Sequence, residues 1–204
     1  MYDPAEGYRV VLASGSPRRK ELLEAFIRDF TVRLLPDITE AYPPELPVGE
    51  VAEYLSRQKA EAYRQTLVED ELLVTADTVV SCFDRILGKP TSRDEAIEML
   101  LDLSGRIHEV RTGVCLTSCI HQKSFTVTTA VCFTELTEEE ITFYVDTYRP
   151  FDKAGAYGIQ EWIGIMGVEA VTGSYYNVMG LPTHRLYHEI RSFPRPNKRG
   201  ENYK

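Results

Sequence analysis

No apolar run in the 204 residues approaches the ~20 that a membrane-spanning helix needs. The first residues, MYDPAEGYRV, lack the basic and apolar regions of a secretory leader. The expectation is a soluble, cytoplasmic protein. Excess positive charge is missing too. The net charge is −8 and the pI about 5.1, which counts against the extended basic surface of a nucleic-acid binder. A local basic pocket remains compatible with both numbers. Only four cysteines occur, Cys82, Cys115, Cys119 and Cys132. Even with His121 beside two of them, their spacing fits no common zinc pattern, and they read as buried free thiols. There is no GxxxxGK[ST], so a P-loop enzyme is excluded, and no GxSxG, HExxH or Cys–His arrangement offers a hydrolytic centre.

What is there begins with LASGSPRRKELL, Leu12 to Leu23. It reads as a strand (Arg9–Ala13), a Ser14-Gly15-Ser16 loop and a helix. Ser16 suits the N-cap, Pro17 the first helical position, and Leu22, Leu23, Phe26 and Ile27 an inward face. Arg18, Arg19 and Lys20 crowd the first turn, where the helix dipole already disfavours cations. Free N–H groups at a helix start form an anion site, so three added cations point to a polyanion, a phosphate chain, bound there.

The rest alternates strand and helix patterns. Phe30–Leu35 is strand-like, and a helix is expected over about Glu50–Leu67. Lys59 falls on that helix's inward stripe, between Leu55 and Ala62. LLVTADTVV, Leu72–Val80, is the most apolar strand, yet Asp77 interrupts it. A buried acid is costly unless paired, metal-bound or protonated. A hairpin turns at Phe83-Asp84-Arg85 and ends at Gly88-Lys89-Pro90. Ser92 with Glu95, and Thr137 with Glu140, read as capping boxes opening helices to about Leu103 and Thr147. Between them lie two alternating strands. His108 sits on the first and reads as a histidine satisfied in its strand. RPFDKAGAYGIQ, with Asp152, Lys153, Tyr157 and Gln160, is a glycine-bearing loop of the kind that carries function. A short hairpin is expected over Trp162–Thr172 and a last helix over Thr183–Ser192. The expected organisation is an extension (1–7), one two-lobed domain (8–193) and a disordered basic tail (194–204).

Arg18, Arg19, Lys59, Lys89 and Lys153, with acids Asp77 and Glu40, come from separate segments. Cations with carboxylates suit phosphoryl chemistry, in which transferred oxygens carry charge and a divalent metal needs acidic ligands.

Six segments, in order, resemble motifs of the Maf family of nucleoside triphosphate pyrophosphatases: SGSPRR (14–19), ADTVV (76–80), GKP (88–90), LSGRIHEVRTGV (103–114), DKAGAYGIQ (152–160) and NVMGLP (177–182). Glu161 departs from the family pattern, where glycine often follows the glutamine. The resemblance implies an elongated α/β protein, a two-lobed mixed sheet flanked by helices with a central cleft, inosine triphosphate pyrophosphatase-like. It implies splitting of a nucleoside triphosphate into monophosphate and pyrophosphate, with magnesium or manganese as cofactor. Asp77 matches the catalytic acid and, with Glu40, would hold the metal. Arg19, Lys59 and Lys89 match triphosphate-contacting positions, Ser14 and Ser16 would line the phosphate loop, and Lys153 is placed among the substrate-binding residues. Arg18, Thr78 and Gln160 resemble the subfamily acting on dTTP and UTP, rather than the sister group acting on 7-methyl-GTP. A glutamine amide suits the acceptor–donor–acceptor edge of uracil or thymine. The expected partner is a pyrimidine nucleoside triphosphate, with no nucleic acid or membrane, and a homodimer is plausible by resemblance. The competing reading is a nucleotide-binding regulator of cell division without turnover. Retention of Asp77 beside the lysines favours the enzyme.

Overall fold

A computed structural model of the chain describes residues 4–36, 38 and 40–196. Val10, Val11 and Leu12 are buried in succession on β1 (Arg9–Leu12), the pattern of a strand covered on both faces. β2 (Phe30–Val32) and β3 (Glu71–Cys82) flank it in parallel, and β3 is buried along its whole length except at Thr78. β4 (Arg85–Leu87) folds back on β3 through Phe83 and Asp84, both at positive φ, as a two-residue hairpin requires. β5 (Ile107–Thr117), β6 (Gln122–Phe133) and β7 (Val168–Thr172) continue the sheet antiparallel. Among the described residues this gives one seven-stranded mixed sheet, ordered β2-β1-β3-β5-β6-β7, with β4 on β3.

The helices are α1 (Pro17–Glu24), α2 (Val48–Tyr63), α3 (Arg93–Leu103), α4 (Glu138–Tyr148), α5 (Trp162–Gly167), α6 (Tyr175–Met179) and α7 (Thr183–Ser192). Two apolar clusters sit at the two ends of the sheet. One joins Leu12, Leu72 and Val74 to Leu23 and to Leu186 and Ile190 of α7. The other joins Val80, Val110 and Phe133 to Leu100, Tyr144 and Ile163 of α3, α4 and α5. These are the two lobes, and the mixed α/β architecture matches the expectation from the sequence. α2 covers the opposite face, packing Ala52 and Leu55 near Val79, and Ala60 and Tyr63 near Leu73.

Four expectations need correction. Trp162–Thr172 is not a hairpin: Trp162–Gly167 is helical, and Val168–Thr172 pairs with β6. Gly164 explains this, because a Cβ there would lie 1.9 Å from the Ile159 carbonyl oxygen, so the helix packs on backbone. Thr137 and Glu140 do form a reciprocal capping box. Glu95 instead turns its carboxylate to the N–H and hydroxyl of Thr91, leaving only the Ser92 half. Of the cysteines, Cys82 and Cys115 are buried, but Cys119 is exposed in the turn between β5 and β6 and Cys132 is half-buried; all four are free. Ordered structure also reaches into both terminal segments. Tyr8 donates to the Pro194 carbonyl, Arg195 to the carbonyls of Pro4 and Glu6, and Ala5 is buried in the first cluster. The remainder of the expected tail, 197–204, lies outside the described residues.

Candidate active site

A gap in the sheet makes the site. β1 pairs with β3 only as far as Val74, and β4 joins β3 only from Val80. Residues 75–79 therefore have no strand partner on that side among the described residues, and a cleft of about 700 Å³ opens there. It lies past the carboxyl end of parallel β1, where ligands of open α/β sheets gather. Ser14, Ser16, Arg18, Arg19, Glu40, Lys59, Asp77, Thr78, Lys89, Lys153 and Gln160 all line it. These residues are thus brought to one place, whereas Lys20, expected with Arg18 and Arg19 at the anion site, is exposed and lies outside the lining.

The first wall is the loop before α1. Ser16 caps the helix, accepting the Arg19 N–H at 3.5 Å, and Ser14 Oγ accepts the Ser16 N–H at 3.2 Å. The Arg19 guanidinium makes three hydrogen bonds with its five N–H donors. It donates to the Gly180 carbonyl at 2.8 Å, to Thr78 Oγ1 at 3.0 Å and to Ser14 Oγ at 3.4 Å. Gly180 caps α6 at φ +110°, a left-handed backbone that favours glycine and aims that carbonyl at the arginine. Partial burial pushes the guanidinium below its ordinary value, against the pull of Asp77.

The second wall is α2 over β3. Along β3, Asp77 points to the α2 side together with Leu73, Thr75 and Val79. Its cross-strand partner is Gly113. A Cβ on Gly113 would stand 2.2 Å from the Ala52 backbone, so α2 rides directly on the sheet at the level of Asp77. Two turns later that helix delivers Lys59, whose ammonium lies 2.5 Å from Asp77 Oδ1 and 2.8 Å from Glu40 Oε1. Asp77 is 8 % exposed, the paired buried acid that the sequence called for. Burial raises the Glu40 carboxyl, but the Lys59 bond and charge, aided by Lys89 and Arg19, hold it below its ordinary value. Lys89 is looser, at 4.0 Å from Glu40 and 60 % exposed.

The third wall is the loop after α4. Arg18 reaches across to Asp152 at 3.1 Å, joining segments 134 residues apart. Lys153, expected on substrate, sits between Asp152 at 2.7 Å and Glu161 at 3.1 Å. Gln160 lines the cleft with its Oε1 buried and lacking a hydrogen-bond partner. His108 holds the loop from beneath, its Nε2 2.8 Å from the Tyr157 hydroxyl while its Nδ1 has no partner.

Sequence reasoning missed Glu161 and Tyr144 as parts of this wall, and Thr112, which links Thr78 to the Asn177 carbonyl. Glu161 carried a signal as the departure from the glycine pattern. Tyr144 carried none, since its place on α4 reads as plain core.

Among the described residues no three histidine, cysteine or acidic side chains gather for a metal. Two carboxylates, Glu40 and Asp77, face one another across Lys59. That donor set fits magnesium in the manner of nucleotide sites, with one or two carboxylates completed by substrate phosphates and water.

A family profile described as Maf-like protein matches residues 9–193. A dTTP/UTP pyrophosphatase of Bacteroides thetaiotaomicron is 55 % identical over 191 residues, covering 94 % of this chain and 99 % of that one. Another, of Parabacteroides distasonis, is 52 % identical over 193 residues, covering 95 % and 100 %. Among solved structures, a HAM1 protein from Coxiella burnetii gives a TM-score of 0.45 at 15 % identity, covering 89 % of this chain and 97 % of that one.

Proposed function

The chain belongs to the Maf family, and from that premise we propose that it hydrolyses dTTP and UTP to the nucleoside monophosphate and pyrophosphate. The observation that carries the proposal is the convergence of Arg19, Lys59 and Lys89 around Asp77 in one cleft. Three cations match a triphosphate chain, and two carboxylates among them, Asp77 and Glu40, favour turnover over a site that only binds phosphate. That the two relatives are dTTP/UTP pyrophosphatases supports the pyrimidine substrates.

In this reading the triphosphate lies along the Ser14–Arg19 loop and α1 N-terminus, with Lys59 and Lys89 on its oxygens. Asp77 accepts a proton from water as the water oxygen attacks the α-phosphorus. The bond from that phosphorus to the α–β bridging oxygen breaks, and pyrophosphate leaves with the negative charge. Arg19, already fixed by three hydrogen bonds, stabilises the charge growing on the oxygens without having to move. Lys59 gives two of its three N–H groups to Asp77 and Glu40 and has a third for a phosphate oxygen. Glu40 and Asp77 would hold magnesium or manganese, which would polarise the phosphoryl oxygens and lower the pKa of a bound water. Gln160, with its unpartnered Oε1, and Arg18 would read the base, with Thr78 close by.

The test is pyrophosphate release from a panel of nucleoside triphosphates with magnesium or manganese. Turnover of dTTP and UTP well above ATP and 7-methyl-GTP supports the proposal. Binding of UTP without any pyrophosphate release overturns it in favour of a regulator.

A further inference from the structure

Lys153 does not project free into the cleft. The residue is nearly buried, 8 % exposed, and its ammonium is clasped by Asp152 Oδ1 at 2.7 Å and Glu161 Oε1 at 3.1 Å. Each carboxylate has a second oxygen, and each is also used. Asp152 Oδ2 takes Arg18 Nη1 at 3.1 Å, and Glu161 Oε2 takes the Tyr144 hydroxyl. The result is an alternating chain, Arg18–Asp152–Lys153–Glu161–Tyr144, from α1 in one lobe to α4 in the other. We propose that this chain is the device that positions the two base-reading residues, Arg18 and Gln160, and that Lys153 is its centre rather than a phosphate ligand. The inference rests on the pyrimidine reading above.

The geometry of the loop carries it. Lys153 and Glu161 stand at the two ends of the segment 153–161, so their ion pair closes it into a ring. Inside the ring the Gly158 N–H donates to the Tyr144 oxygen at 3.0 Å, and the Glu161 N–H to the Gly158 carbonyl at 3.0 Å. A Cβ on Gly158 would meet the Glu161 carboxylate at 2.8 Å, so the loop is moulded on that side chain. Gln160 lies between these two anchored residues. A glutamine amide can pair with uracil in one orientation and with cytosine after a flip. Discrimination therefore depends on where its backbone is held, and displacements near 1 Å are enough to lose it. A triphosphate oxygen seeking Lys153 would have to displace two carboxylates already in contact. Charge balance agrees. Arg18 sits beside Arg19 at a helix start, and Asp152 supplies the counter-charge that lets it stay; burial opposes that carboxyl's charge, but Lys153 and Arg18 keep it below its ordinary value.

The test compares kcat/KM for UTP and CTP in the full chain and in four variants: Glu161→Ala, Lys153→Met, Gln160→Ala and the Glu161→Ala/Gln160→Ala double. The expected result is a UTP:CTP ratio lower by about tenfold in both Glu161→Ala and Lys153→Met, arising from a raised KM for UTP with kcat within about threefold. In the Gln160→Ala background, Glu161→Ala should change the ratio by clearly less than it does in the parent chain, because only the route through Arg18 remains. Lys153→Met carries the test should Glu161→Ala fail to fold. An unchanged ratio in folded Lys153→Met, with KM raised equally for UTP and CTP, would make Lys153 a phosphate ligand and overturn the inference. So would fully multiplicative effects in the double variant. Absence of UTP turnover in the unaltered chain would sink the functional reading and this inference with it, whereas normal turnover with unchanged ratios sinks the inference alone.

Discussion

The ammonium of Lys59 lies 2.5 Å from Oδ1 of Asp77, so the acid that breaks the most apolar strand is answered by the helix packed over it. That pairing gives a carboxylate only 8 % exposed its counter-charge. It also predicts what happens when the charge is removed. Asp77→Asn keeps the shape and a carbonyl acceptor for Lys59 but cannot take a proton. Pyrophosphate release should fall by roughly 10²–10⁴, the usual range for losing a general base. UTP affinity, measured by calorimetry, should be unchanged or tighter, since a negative charge near the phosphates is gone. Wild-type turnover in Asp77→Asn would mean that the water is activated elsewhere.

Gly113 is the less visible half of the same arrangement. It stands opposite Asp77 in the β3–β5 ladder, and the Ala52 backbone occupies the space a side chain would need. Gly113→Ala must push α2 off the sheet. The expected cost is about 3 kcal/mol, at the upper end for overpacking, read as a lower urea midpoint with an unchanged slope. Because α2 carries Lys59, turnover should fall in the fraction that still folds. A variant as stable and active as the parent would show that α2 is not seated as described.

The sequence made the site far more legible than it made the second lobe. Ser16, Pro17 and the crowded Arg18–Lys20 turn announced a helix start built for an anion, because capping and dipole effects are local. Asp77 stood out because burial is readable from the apolar residues around it. The hairpin expected at Trp162–Thr172 failed because Gly164 packs against the Ile159 carbonyl at the start of a short helix, a contact that residue spacing alone does not announce. Glu95 chose Thr91 over the residue its spacing suggested, a choice between neighbours that spacing alone does not decide. The occupation of Lys153 by two carboxylates was likewise hidden, since Glu161 comes from the far end of its loop.

His108 supplies a pH dependence of stability separate from catalysis. Burial pushes its pKa down to about 4, so the folded protein holds it neutral, bonded to the Tyr157 hydroxyl between the rings of Tyr157 and Phe133. The unfolded chain takes up a proton near pH 6.5, the folded chain only near 4. The stabilisation is therefore complete above about pH 6.5 and is lost as pH falls toward 4, up to about 3 kcal/mol in all. Urea midpoints measured from pH 7 to 4.5 should fall more steeply for the parent chain than for His108→Gln, which cannot titrate. Parallel curves would remove His108 as the cause.

Gln160 gives the sharpest test of base reading. Its amide can accept from the uracil N3–H and donate to a neighbouring carbonyl. Gln160→Glu keeps the acceptor but replaces the donor with a second acceptor, which then faces a carbonyl oxygen. Breaking one buried polar contact of this kind costs about 1–3 kcal/mol, or roughly 10- to 100-fold in kcat/KM for UTP. Cytosine presents its N3 as an acceptor to the second oxygen, so CTP should lose a comparable factor. The proposed triphosphate contacts, Arg19, Lys59 and Lys89, lie on other walls of the cleft, and affinity for inorganic triphosphate should move by less than about threefold. Equal losses for UTP, CTP and inorganic triphosphate would mean that the new charge acts by repelling phosphate, and Gln160 would then have no part in choosing the base.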